Sequence, residues 1–218
     1  VIADPTAPLL CGVDLPAGGG DKFVARFRRG LDARSIPPVS PRMPDGRPMK
    51  FREIVDVCED ILDRTYEGGV YVQMMYIDDS QYGRPLYEEL CEHGYRGSVA
   101  LVNFNGVCPD PDHYENMRAW MYCGAAEWGE AGGRIDENED LKEDLSKQQL
   151  DKDAKKNRLI PKKDIIAALG GRSPDDGDAF ALTFARRRRR RDRRRSRMRK
   201  LRRVERGEAP AGRDAWMH

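Results

Sequence analysis

No apolar run in this 218-residue chain approaches the roughly 20 residues needed to cross a bilayer. Val1 to Leu10 has no basic start leading into an apolar stretch, so a secretory signal is not expected either. The five cysteines, Cys11, Cys58, Cys91, Cys108 and Cys123, are odd in number, and no two stand at the two-residue gap typical of zinc or redox motifs. Reduced, buried thiols in an intracellular protein are the expectation. A collagen-like repeat is also missing, and the absence of an initiator Met suggests a piece of a longer polypeptide.

What is present is a hydrophobic content of 39% beside a charged content of 35%, the balance of a globular protein with a heavily charged exterior. The length suits one substantial core plus a tail. The formal charge of +2 conceals an asymmetry. Arg186 to Arg206 holds 15 Lys and Arg against Asp192 and Glu205, leaving 24 basic and 35 acidic residues elsewhere. The division expected is therefore an acidic domain over residues 1–185 and an arginine-rich arm over residues 186–218, with a helical start and a disordered end. Such an arm implies a polyanionic partner or a second protein surface.

Leu9 to Val13 reads as a strand closing on Asp14, followed by a Pro-Gly-rich turn. Lys22 to Arg28 alternates apolar Phe23, Ala25 and Phe27 with other side chains, as the second strand of an antiparallel hairpin would. A third strand is expected near Leu31 to Ile36, then a loop from Pro37 to Pro48, which holds five prolines. Phe51, Ile54, Val55, Cys58, Ile61 and Leu62 line one helix face, ending before Gly68 and Gly69. Val70 to Ile77 is a near-continuous apolar run, as a central strand requires, and it ends on Asp78 and Asp79. Helix, strand and helix follow over Arg84 to His93, Ser98 to Val102 and Tyr114 to Glu130. Asp140 to Lys156 reads as an exposed or partly mobile helix, Lys162 to Leu169 as a short helix, and Asp175 to Arg191 as the last. Strand, helix, strand on an initial hairpin predicts an α/β sheet of mixed direction.

Three acids fall where an element begins or ends on this core. Asp14 closes the first strand, Asp78 the central one, and Asp178 lies in the first turns of the last helix. Asp175, three residues before it, points the same way on a helix. Oxygen ligands of this kind suit hard cations such as Mg²⁺ or Mn²⁺, and clustered carboxylates repel one another unless a cation lies between them. Taken singly, each such acid is more often a helix cap or a surface charge.

Four separated segments resemble, in order and spacing, the nuclease domain of tailed-bacteriophage terminase large subunits. Cys11-Gly12-Val13-Asp14-Leu15-Pro16-Ala17 with Asp21-Lys22 is similar to the family's first strand and turn. Tyr76-Ile77-Asp78-Asp79-Ser80-Gln81-Tyr82-Gly83 resembles its second acidic strand end, although Gln81 stands where glycine is frequent and Asp79 where a small residue is common. Tyr114-Glu115-Asn116-Met117-Arg118 resembles its helix start. Ile160-Pro161-Lys162-Lys163-Asp164 and Gly171-Arg172-Ser173-Pro174-Asp175-Asp176-Gly177-Asp178-Ala179 resemble its ending. The likeness spans roughly Leu9 to Ala185.

The resemblance implies a ribonuclease-H-like fold, a mixed central sheet flanked by helices, and two ions of Mg²⁺ or Mn²⁺. It implies that Asp14, Asp78 and Asp178 are catalytic metal ligands, with Asp175 assisting and Asp79 replacing or supplementing Asp78. The activity implied is double-stranded DNA cleavage of low sequence specificity, at the start and end of headful genome packaging in the host cell cytoplasm. The partners implied are an ATPase motor domain on the same polypeptide, a portal protein and a small terminase subunit. The glycine loop of that motor does not occur here, so no ATPase is expected. Lys162, Lys163 and Arg172 are candidate phosphate contacts beside their alternative as solvated charges. Arg186, Arg187 and Arg188 open the arm, which would grip DNA or dock on the portal. A resolvase-like nuclease of the same superfold and a non-catalytic DNA-binding module are the competing readings.

Overall fold

Successive side chains of a strand point to opposite faces, and β1 (Leu9–Asp14) is buried on both. Leu9, Cys11 and Val13 enter one apolar cluster. Leu10 enters a second on the other side, so Gly12 and Asp14 share the face of Leu10 by the same alternation. A strand so enclosed must lie inside a sheet covered twice. The computed structural model, which describes residues 6–16, 22–43 and 45–185, shows this arrangement. β1 pairs antiparallel with β2 (Val24–Arg29) and parallel with β4 (Val72–Asp78). With β3 (Asp32–Ala33), β5 (Val99–Val102) and β6 (Arg134–Ile135), the sheet runs β5-β4-β1-β2-β3-β6.

Helix α1 (Phe51–Asp63) lays Ile54, Val55, Cys58, Ile61 and Leu62 on the first face. Beside it packs α2 (Gly83–Leu90), which runs on through a π-helical turn, Cys91–Tyr95, interrupted at Gly94. The second face is covered by α3 (Met117–Glu130), α4 (Glu139–Ser146) and α6 (Asp175–Leu182). A short helix, α5 (Lys162–Ala168), precedes α6 and buries Ile165. The expected α/β architecture, a mixed sheet flanked by helices, is present. Among the described residues no helix is long and apolar enough to cross a membrane.

Gly12 is required by how closely α6 approaches the sheet. A Cβ there would stand 2.0 Å from the Ala179 carbonyl oxygen and 2.8 Å from the Leu182 Cβ. Main chain therefore lies directly on main chain, and the helix carrying Asp175 and Asp178 is seated two residues from Asp14.

Four elements depart from the sequence expectation, each for a local reason. β3 is two residues long because the Asp32 carboxylate accepts from the backbone N–H groups of Arg34 and Ser35, at 2.9 and 3.1 Å, and turns the chain. α3 begins at Met117, not Tyr114, since Asn116 is its N-cap and accepts from Ala119 N–H at 3.0 Å. α6 ends at Leu182: Thr183 to Ala185 turn in three-residue hydrogen bonds, and Arg28 Nη2 donates to the Thr183 carbonyl at 2.7 Å. The helical continuation expected to Arg191, with the rest of the arm, lies outside the described residues. The stretch expected as one exposed helix from Asp140 to Lys156 is helical only to Ser146, and within it Leu141 and Asp144 are fully buried.

Candidate metal centre

Parallel pairing places the ends of β1 and β4 side by side, with Val13 opposite Ile77 as the last registered pair. Asp14 and Asp78 follow next on each strand. Since Tyr76 packs in the cluster with Leu10, the alternation sends Asp78 to the face that receives Asp14, toward α6. The site is thus made at the carboxyl ends of adjacent parallel strands, where open α/β sheets present their clefts.

The first turn of α6 supplies three more carboxylates, and all three are buried: Asp175 at 5%, Asp176 at 3% and Asp178 at 3% exposed. Acids suit a helix N-terminus, but burial of charge needs partners. Asp178 Oδ1 accepts from the Tyr122 hydroxyl at 2.6 Å, and its Oδ2 pairs with Lys162 Nζ at 2.7 Å. Asp175 accepts from the Lys22 backbone N–H at 3.3 Å. Asp176 turns away from both and takes Arg26, with Nε at 2.8 Å and Nη2 at 2.5 Å, and Lys22 Nζ at 2.7 Å. Arg26 Nη1 in turn reaches Asp136 at 3.1 Å.

Burial pushes the Asp14 carboxyl well above the usual range, and repulsion from Asp178, Asp175 and Asp78 adds to it while Lys162 opposes. Burial likewise raises Asp78 to about 6, with Asp178 and Asp79 adding and Lys162 again opposing. For Lys162, burial alone would lower the ammonium pKa, but the Asp178 and Asp14 charges outweigh it and the net shift is upward. Tyr122 is pushed up by burial and by Asp178, so it remains a donor. Four acids predicted from sequence therefore share one electrostatic neighbourhood, with the Lys162 ammonium set among them.

That arrangement bears on whether a divalent cation fits. Among the described residues no three acids, histidines or cysteines stand close enough to hold one ion as they are, so the closed ligand set expected from sequence is not formed. The donors are nonetheless all carboxylate oxygens, suited to Mg²⁺ or Mn²⁺, and Asp14 and Asp78 carry a repulsion that a cation would relieve. The donor chemistry fits such an ion, which Asp14, Asp78, Asp175 and Asp178 would hold once Lys162 yields the Asp178 oxygen it occupies.

The remaining candidates divide. Asp79 borders the cleft but pairs with Arg84 at 2.7 Å. Arg172 is engaged by Asp144 at 2.6 Å and Glu143 at 2.9 Å, so its first role is to neutralise α4 acids. Lys163 is exposed beside Lys162. Arg186, Arg187 and Arg188 lie outside the described residues.

Several residues that shape the site escape a reading of the sequence. Asp144, fully buried, accepts from the Gly177 N–H at 2.9 Å and so fixes α6 in the turn between Asp175 and Asp178. Arg118 donates from Nη1 to the Ile160 carbonyl at 3.1 Å and from Nη2 to Gln148 at 3.0 Å, and its guanidinium lies 5.7 Å from the Tyr122 ring centre. It thereby touches the holders of both Asp178 oxygens, Tyr122 and the segment leading to Lys162. For Arg26 the sequence does carry one signal: a charged residue between Ala25 and Phe27 in a buried strand must meet an acid.

From Asp78, Asp178 and Lys162 a cleft of 620 Å³ runs past Asn103, Asn116 and Arg118 to Asp151 and Arg158.

No protein-family model matches the chain, and no curated protein does. Among solved structures, the nuclease domain of the large terminase subunit of bacterial virus Sf6 superposes with a TM-score of 0.63 at 18% identity, over 83% of this chain and 89% of that one. A mutant of the same subunit with calcium gives 0.64 at 18% identity, over 83% and 90%. A mutant nuclease domain with manganese and beta-thujaplicinol gives 0.61 at 16% identity, over 83% and 89%. At these identities the likeness is one of fold.

Proposed function

We propose that the chain is a metal-dependent endonuclease that cuts double-stranded DNA during packaging of a viral genome, with Asp14, Asp78 and Asp178 as its catalytic carboxylates and Asp175 as a fourth ligand. The observation that carries this reading is the meeting of Asp14 and Asp78, from adjacent parallel strands, with Asp178 from α6 in one mutually repelling group, Asp14 and Asp178 buried and Asp78 partly so. A structural role would favour acids paired with cations, as Asp176 is with Arg26 and Lys22; Asp178 has such a partner in Lys162, whereas Asp14 and Asp78 form no ion pair among the described residues. The fold likeness to a terminase nuclease domain points the same way.

Two divalent cations bound there would acidify an attacking water and neutralise charge on the departing 3′ oxygen. The chain's own contribution is orientation. Tyr122 donates to one oxygen of Asp178 and fixes the carboxylate plane; Lys162 donates to the other until a cation competes for that oxygen or a phosphate for the ammonium. Burial and mutual repulsion disfavour the charged forms of Asp14 and Asp78, and bound positive charge would offset that cost. Low sequence specificity is expected, and the motor domain, portal and small subunit would present the DNA. Plasmid nicking with Mg²⁺ or Mn²⁺ tests the assignment. Asp14→Asn and Asp178→Asn abolish it while the fold persists; a folded variant that cuts at the parental rate removes that residue from the site.

A further inference from the structure

The segment after α4 is a flap whose inner edge is a wall of the cleft. Its two arms pair at Leu150 and Leu159 in an antiparallel bridge. Asp151 N–H donates to the Arg158 carbonyl at 2.7 Å and Ile160 N–H to the Gln149 carbonyl at 2.9 Å. The turn is braced from inside: Asp151 accepts from Asp153 N–H at 3.0 Å and pairs with Arg158 at 2.6 Å.

Three anchors hold the flap against the opposite wall. Asn157 exchanges backbone hydrogen bonds with His113 and Glu115 at 2.8 and 3.0 Å. Lys156 Nζ donates to the Pro111 carbonyl at 2.7 Å, and Arg118 holds Ile160 and Gln148. Residues 147–163 carry seven Lys and Arg, Lys147, Lys152, Lys155, Lys156, Arg158, Lys162 and Lys163, against Asp151 and Asp153. Anchoring engages Lys156, Arg158 and Lys162, while Lys152, Lys155 and Lys163 stand exposed without an ion pair among the described residues.

We propose that this flap is a docking surface for the phosphodiester backbone of duplex DNA beyond the scissile phosphate, with Lys152 and Lys155 taking flanking phosphates. The identity of the polyanion rests on the nuclease reading; the surface itself rests on exposed ammonium groups, without an ion pair among the described residues, on a braced turn whose base, Asp151 and Arg158, lines the cleft. Residues 147–163 contain no aromatic side chain, so the flap offers no platform on which unpaired bases would stack. Its chemistry is contact with phosphate, without readout of sequence.

The test is the salt dependence of duplex binding by the full chain in Ca²⁺, read by fluorescence anisotropy between 50 and 300 mM KCl, values on the order of those over which such contacts weaken. Lys152→Gln/Lys155→Gln lowers the slope of log K against log salt by nearly 2, at about 0.9 for each phosphate no longer neutralised. Arg42→Gln/Arg96→Gln, which removes two exposed cations that belong neither to residues 147–163 nor to the cleft lining, leaves the slope unchanged. An unchanged slope in the flap variant overturns the proposal, and so does an equal fall in the control. Plasmid cutting by the parent in Mn²⁺ is read in parallel. A parent that fails to cut but shows the slope difference sinks the nuclease reading and keeps the flap; one that cuts with no slope difference sinks the flap alone.

Discussion

Arg26→Met cuts the tie between β2 and the first turn of α6, and its consequence follows from burial on both sides. Arg26 and Asp176 have side chains only 3% and 4% exposed, and the guanidinium meets the carboxylate through two nitrogens. Removing one partner of a buried pair costs roughly 3–5 kcal/mol, because the other charge stays behind without compensation. Here Lys22 still reaches Asp176 Oδ2 at 2.7 Å, but its side chain is 35% exposed and is shared with Asp140. The lower end, about 3 kcal/mol, is therefore expected. For a domain of this size that corresponds to a fall in Tm of roughly 6–12 °C. Urea denaturation supplies the free energy and calorimetry the Tm. Arg26→Met/Asp176→Leu should recover most of the deficit, since an apolar pair of similar volume carries no stranded charge. A drop under about 1 kcal/mol in the single variant, or a double variant no better than the single, would refute the claim that this pair seats α6.

Asp78 at about 6, above its ordinary 3.8, and Asp144, also at about 6 by burial, keep protons in the folded state that the unfolded chain has released. Stability of the chelator-treated protein should thus fall as pH rises from about 4 through 6, and Mg²⁺ should flatten the curve; a metal-free Tm that climbs over that window contradicts it. Asp14→Asn should raise the metal-free Tm, by removing the repulsion, while abolishing cleavage. Gly12→Ala forces a methyl to within 2.0 Å of the Ala179 carbonyl, and should cost about 3 kcal/mol in urea melts, with cleavage falling below what the folded fraction explains. Arg118→Met should lower kcat more than KM and weaken Mn²⁺ binding, read by electron paramagnetic resonance, through release of its hold on Tyr122 and Ile160.

What the sequence made readable was governed by short-range rules. Two-residue alternation placed Asp14 and Asp78 at strand ends, and the three-residue spacing of Asp175 and Asp178 put both on one side of α6. The partners of those acids obey no local rule. Tyr122 lies 56 residues from Asp178, Arg26 lies 150 from Asp176, and Asp144 lies 33 from Gly177; only the packing of α3, α4 and β2 around α6 brings them together. From sequence Lys162 reads as a phosphate contact or a solvated charge, because its proximity to Asp178 depends on where α5 docks, which hydrophobic spacing does not encode. The resemblance to a nuclease family supplied the joint reading of acids that each had a plainer explanation alone.

The direct contact of α6 with β1 at Gly12 has a consequence for how such a site tolerates change. The separation of β1 from α6, two of its three carboxylate-bearing elements, is gauged mainly by the Gly12 peptide against the Ala179 carbonyl, with the Leu182 Cβ close beside. One methyl added at that seat would therefore push Asp175 and Asp178 out of line with Asp14.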